Sequence, residues 1–168
     1  MPNRRRAGFV GTGSPRPGGT GKEQAIDDLV GEFGREPQGP ATGPFAQLLG
    51  YRTRISAAHG AYVELEVEER HLSMYGVAHG GVALVLLDTV GGVHVLTARP
   101  ELARLATISL SANFIKPVRP GRVVATANIQ RIGGAVAYTS MALHEGGFDG
   151  EILATAHGAY RLFHAGRG

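Results

Sequence analysis

His79-Gly80-Gly81 is followed, nine residues after its histidine, by Asp88, the one carboxylate in a run that is otherwise mostly apolar from Gly80 to Ala98. Glycines at a helix start place unpaired backbone N–H groups where the helix dipole favours negative charge. They also let a ligand approach the backbone closely. That combination suits an oxyanion hole for acyl transfer; a tight turn without chemistry would need the same glycines. Asp88 sits among Leu84, Val85, Leu86, Leu87 and Val90. An acid there is costly unless it is paired or partly solvated. It is either a reacting carboxylate or a structural cap or ion-pair partner. On one helix the two groups point to opposite faces, roughly 13 Å apart along the axis. They do not easily serve one substrate carbon within one chain. Two such helices packed antiparallel across a two-fold axis would bring the acid of one near the glycines of the other, so the spacing hints at a dimer with shared sites.

The elements that position these groups can be read around them. The segment 80–97 reads as a helix that is apolar on nearly every side, and such a helix must be covered on nearly every side. A membrane span is the competing reading, but Asp88 and His94 interrupt the run and Gly91-Gly92 weaken it, so a helix buried in protein is expected. Ahead of it, Val63, Leu65 and Val67 alternate with Glu64, Glu66 and Glu68, which is one half-buried strand. After it the chain is strand-like over 107–115, 122–132, 135–145 and 151–163, with a hairpin signal at Gly133-Gly134 and a turn at Asp149-Gly150. Phe45 to Leu49 reads as one helical turn before Gly50. One long helix and consecutive antiparallel strands make an α+β arrangement, with a curved sheet around the helix.

The 168 residues suffice for one domain with a core, at 43% apolar and 18% charged. With no cysteine, disulfides, thiolate metal sites and cysteine nucleophiles are excluded. The net charge of +3 is unevenly spread: residues 1–22 hold Arg4, Arg5, Arg6, Arg16 and Lys22 and no acid, so the remainder carries −2. The high pI therefore belongs to a tail, and nucleic-acid binding by the folded part is not expected. Residues 1–22 read as a disordered basic Gly/Pro-rich tail, since no apolar stretch follows the arginines to make a signal. "GGTGK" lacks the P-loop frame, with Arg16 and Glu23 at its two diagnostic positions. Residues 23–43 read as a short amphipathic helix and a Gly/Pro linker: Thr20 and Glu23 have capping-box spacing, and Ile26, Leu29, Val30 and Phe33 follow at helical period. The main domain is expected over 44–165. A cytoplasmic protein that binds no membrane is expected.

The segment 71–96 resembles the hot-dog fold acyl-CoA thioesterases, in particular the PaaI-like (phenylacetyl-CoA thioesterase type) group. That group's pattern is roughly H-x-N-x-x-G-x-x-H-G-G, with Asp nine residues after the second His. His71, Gly76, His79, Gly80, Gly81 and Asp88 stand in register with it. "TISLSANFIKPVRPG" (107–121) resembles the strand that follows in the family, and "PFAQLLGYR" (44–52) its lead-in. The resemblance implies a sheet wrapped around one long central helix, and a homodimer or a homotetramer built as a dimer of dimers. It implies hydrolysis of an acyl-CoA thioester with no metal or cofactor. Carried over by position, the Gly80 N–H would polarise the thioester carbonyl and His79 would support it or orient the loop. Asp88 of the facing subunit would be base or nucleophile, and Thr107 would assist the water. Gly81 and Tyr75 would line the substrate. Ser73 stands where the family has Asn, with one short hydroxyl in place of a longer amide.

Lys116, Arg119 and Arg131 suit the phosphates of CoA, or form a solvated face. His94 reads as a hydrogen-bonded core residue; His59, His144 and His164 read as loop or surface. No His-Glu-x-x-His or G-x-S-x-G pattern occurs in the sequence. Two rivals stand beside the thioesterase reading. One is a hot-dog hydratase or dehydratase, whose usual His-Phe-Pro-Gly-type motif is absent. The other is a non-catalytic acyl-CoA-binding protein, which has no need of a buried acid.

Overall fold

The computed structural model describes residues 43–164. The basic tail and the helix expected after Thr20 lie outside the described residues. The chain opens with a short helix α1, Pro44–Leu49, started by Pro44 and ended by Gly50 with φ 82, a left-handed conformation that suits glycine. Two strands follow, β1 (Arg52–Ser56) and β2 (Gly60–Val67). A 3-10 turn at Glu69–His71 and a loop lead into the long helix α2, Gly80–Ala98. Four strands complete the fold: β3 (Leu102–Phe114), β4 (Gly121–Ile132), β5 (Val136–Glu145) and β6 (Ile152–His164). They form one antiparallel sheet in the order β1-β2-β4-β5-β6-β3. This is the expected α+β hot-dog arrangement of a sheet around one helix.

Two expectations need correction. Two strands precede the helix, not one. β1 lacks a clean apolar alternation, because Arg52 and Arg54 stand in it. It lies at the sheet edge, where Arg54 pairs with Glu64 of β2 at 2.9 Å. Glu64 also takes Arg122 of β4 at 2.9 Å. Burial pushes the Glu64 carboxyl up, but the hydrogen bonds and charges of Arg54 and Arg122 outweigh it and hold it below its ordinary value.

The second correction concerns α2. It is long and apolar enough to cross a membrane, with mean hydropathy 1.7. Its strip Val82, Ala83, Leu86, Leu87, Val90 and Val95 is buried against β2 to β6. Val63, Leu65, Val123, Ala125 and Leu143 meet it from the sheet. Each fully buried Leu or Val contributes roughly 1.5–3 kcal/mol. The opposite strip, with Leu84, Val85, Asp88 and Thr89, is only half-buried. Among the described residues, the sheet covers one side of the helix and leaves the other side half-open.

Candidate active site

The loop ahead of α2 is tied down by His71, which is 3% exposed. Its Nδ1 accepts from the Glu68 N–H at 2.9 Å, so the neutral ring carries its proton on Nε2 and donates to the Leu49 carbonyl at 2.7 Å. The His71 carbonyl then accepts from the His79 N–H at 2.9 Å. One buried imidazole therefore joins the end of α1, the exit of β2 and the residue that opens α2.

His79 is the N-cap of α2, and its Nδ1 accepts from the Gly81 N–H at 3.0 Å. That satisfies one of the orphan donors of the helix start. Gly80 is the first helical residue and is exposed, so its N–H is a donor turned toward the helix entrance. A cleft of about 330 Å³ opens here, lined by His79, Gly80 and Ala83 at the helix start and by Phe114 to Val118 at and beyond the end of β3. The Phe114 ring lies 3.4 Å from where a Gly80 side chain would begin.

Asp88 lies about two and a half turns further on, half-buried on the uncovered strip. The Thr107 hydroxyl donates to its Oδ1 at 2.9 Å. The strand is re-aimed to make this contact. Leu110 pairs with Gly158 and Ser109 with Ala159, but Thr107 pairs with Tyr160, which leaves Ile108 as an extra residue. Such a bulge shifts the two-residue alternation by one and turns Thr107 toward the helix.

The structure thus brings Asp88 to Thr107, and His79, Gly80 and Gly81 to the cleft. It does not bring these two groups together within one chain, since nine residues of helix separate them by roughly 13 Å. Ser73 closes the preceding loop: its N–H and its hydroxyl both donate to the Val77 carbonyl, at 2.7 and 2.9 Å. Tyr75 and Met74 project from that loop, 82% and 90% exposed. Lys116 lines the cleft and forms an exposed ion pair with Glu151. Such a pair costs little to exchange for another anion. Arg119 is exposed one residue past Val118, and Arg131 is exposed on β4.

The remaining histidines differ in role. His94 is half-buried and contacts the Ala61 carbonyl at 3.3 Å. His144 is not a loop residue; it is half-buried on β5 between the Thr126 hydroxyl and the Gly150 carbonyl. No group of three or more acidic or histidine side chains that would hold a metal occurs among the described residues. Ile115 and Val118 line the cleft with no local signal in the sequence that marks them for it.

Residues 75–147 match the family model described as Thioesterase superfamily. Human acyl-coenzyme A thioesterase 13 is 31% identical over 101 residues, 59% of this chain and 71% of that protein. The chain belongs to the thioesterase superfamily. A putative esterase of Halobacterium salinarum is 36% identical over 94 residues, and the match spans 52% of this chain but only 62% of that relative. Among solved structures, a Bacillus halodurans protein crystallised with CoA superposes with a TM-score of 0.68 at 21% identity, covering 86% of this chain and 92% of its own. A mutant of the phenylacetic acid degradation protein PaaI of Thermus thermophilus superposes with a TM-score of 0.61 at 24% identity, covering 71% and 98%. For this superfamily member these likenesses bear on the fold.

Proposed function

We propose that this thioesterase-superfamily chain hydrolyses an acyl-CoA thioester to a free carboxylic acid and CoA. The observation that carries the reading is the Asp88–Thr107 pair, a half-buried carboxylate held by a hydroxyl on the open strip of α2. The relatives named acyl-coenzyme A thioesterase support the substrate class. In this reading the thioester carbonyl oxygen lies at the Gly80 N–H, with His79 holding the helix start in place. Asp88 takes the proton of a water that attacks the carbonyl carbon, or attacks it directly to give an anhydride that water then hydrolyses. The oxyanion collapses, the C–S bond breaks, and the CoA thiolate leaves with a proton. Lys116 and Arg119 face the CoA phosphates, and Tyr75 lies beside the acyl group.

The active form is a dimer in which Asp88 of one copy meets the His79-Gly80 start of the other. Support comes from the 13-residue edge strand β3 and its exposed Ile108, since an open edge is a template for pairing. Leu84 and Val85 on the uncovered strip are the apolar surface such a pairing would cover.

Thiol release from a panel of acyl-CoAs tests the activity. Wild type should release CoA from at least one of them. Asp88→Asn keeps the shape and should lower kcat by about 10²-fold or more, the scale of general-base loss. Tight acyl-CoA binding with no thiol release by the wild type would instead establish a binding protein. Near-normal turnover by a folded Asp88→Asn protein would remove Asp88 from the mechanism.

A further inference from the structure

Asp88 is held at two points. Thr107 grips its carboxylate at 2.9 Å. The Tyr160 phenol donates to its main-chain carbonyl at 3.2 Å. Thr107 and Tyr160 are direct register partners on β3 and β6, so one rung of the sheet takes hold of both the side chain and the backbone of this one residue.

The chain makes room for the phenol at two places. Tyr160 is fully buried, and a side chain at Gly91 would begin 2.2 Å from its hydroxyl oxygen. One at Gly158 would begin 2.9 Å from the same atom. A glycine weakens a helix interior relative to alanine, yet α2 carries one where the phenol enters, three residues beyond Asp88. Burial, and then the negative charge of Asp88, push the phenol up from its ordinary value. It therefore stays protonated and remains a donor.

The geometry points to Tyr160 as a positioning residue for Asp88: its phenol fixes the helix rung that presents the carboxylate to Thr107. The inference rests on the reading of Asp88 as the reacting carboxylate. A buried tyrosine hydroxyl also finds a carbonyl for purely structural reasons, so the test must register more than stability.

Tyr160→Phe keeps the ring and removes the donor. Its kcat should fall roughly tenfold, short of the hundredfold cost of a 1 Å misplacement. KM should stay within about twofold, as for an interaction made only in the transition state. In an Asp88→Asn background the same substitution should cost nothing further, because the group it positions is gone. Gly91→Ala places a methyl group where the hydroxyl sits and should lower both kcat and Tm. Adding Tyr160→Phe to Gly91→Ala should give back part of the lost Tm, because the nearest clashing atom is gone while the ring carbon and the Met141 sulfur stay about 3 Å away, and should not give back kcat. Wild-type turnover by Tyr160→Phe beside an inactive Asp88→Asn overturns the positioning role alone. An equal loss in both backgrounds overturns it too, by showing generic packing. Normal turnover by Asp88→Asn overturns the positioning role together with the mechanism it serves.

Discussion

β5 and β3 are both long antiparallel strands that pair with β6, and they are finished in different ways. β5 lies between β4 and β6, and Ala137, Thr139, Met141 and Leu143 on its inner face are buried. Among the described residues, β3 pairs with β6 on one edge only, and from Arg104 to Phe114 only Leu105, Leu110 and Ala112 are even partly buried. The same contrast runs along α2, whose Val82–Leu86–Val90 strip is covered and whose Leu84–Asp88 strip is half-open. The core that makes the fold stable is closed by the chain itself. Among the described residues, the half that carries Asp88 and Thr107 is left open beside the outer edge of β3. The difference teaches where the chemistry belongs: on the half that the described residues leave open.

The sharpest way to break that contrast is to ask whether two chains complete one site. Asp88→Asn and His79→Ala are each expected to be nearly inactive. Unfolded and refolded together with random pairing, about half of the dimers are mixed, each with one doubly defective site and one intact site. Activity should return to roughly a quarter of wild type. Mass spectrometry of differently tagged chains checks that subunits exchange. Full exchange with no rescue would mean that each site is built within one chain, and that the open half has another purpose.

A smaller effect is expected from the edge itself. Ile108 is 56% exposed on β3, and lysine on an edge strand disfavours pairing with another chain. Ile108→Lys should leave the helix–sheet core folded and shift the protein toward monomer on size-exclusion chromatography. Activity should become concentration-dependent, falling about tenfold at low protein and recovering at high protein, as for any dimer governed by mass action. A monomeric Ile108→Lys protein with full activity would detach the edge from the site.

The contrast also explains what the sequence revealed and what it hid. β2 is legible because Val63, Leu65 and Val67 alternate with glutamates and mark a face covered by the core, and α2 because a continuous apolar run must be covered. β1 is not, because Arg52 and Arg54 replace the apolar half of its alternation at an edge. Asp88 stands out because an acid in an apolar run has a cost that demands a reason. His79-Gly80-Gly81 stands out through its position at the helix start. Thr107 is different. Strict alternation puts it on the same face as Ser109, and only the extra residue at Ile108 turns it to Asp88; its role was expected from family resemblance alone. The grip of His71 on Leu49 spans 22 residues, and the grip of Tyr160 on Asp88 spans 72. Contacts that distant follow from the fold and leave no local period to read.

The smallest effect should come from Ser73, which stands where the resemblance calls for Asn. Its hydroxyl donates to the Val77 carbonyl at 2.9 Å, and the Tyr75 N–H donates to the Ser73 hydroxyl oxygen at 3.4 Å. Ser73→Ala removes this bond, yet the Ser73 N–H still donates to the Val77 carbonyl at 2.7 Å, and Gly76, with φ 73, still turns the chain. The loop should therefore keep its shape. The loss should be about 1 kcal/mol, the scale of one hydrogen bond, or a factor of about five in kcat/KM. Ser73→Asn offers both a donor and an acceptor at longer reach, so it should equal or exceed the wild type. Reading the two variants together separates the roles of the hydroxyl. A loss in Ser73→Ala with a gain in Ser73→Asn would place this position beside the attacking water. A loss in both would make the hydroxyl a brace for the loop that carries Tyr75. No change in either would show that the side of the site formed before α2 is set by the backbone and His71, with Ser73 a bystander.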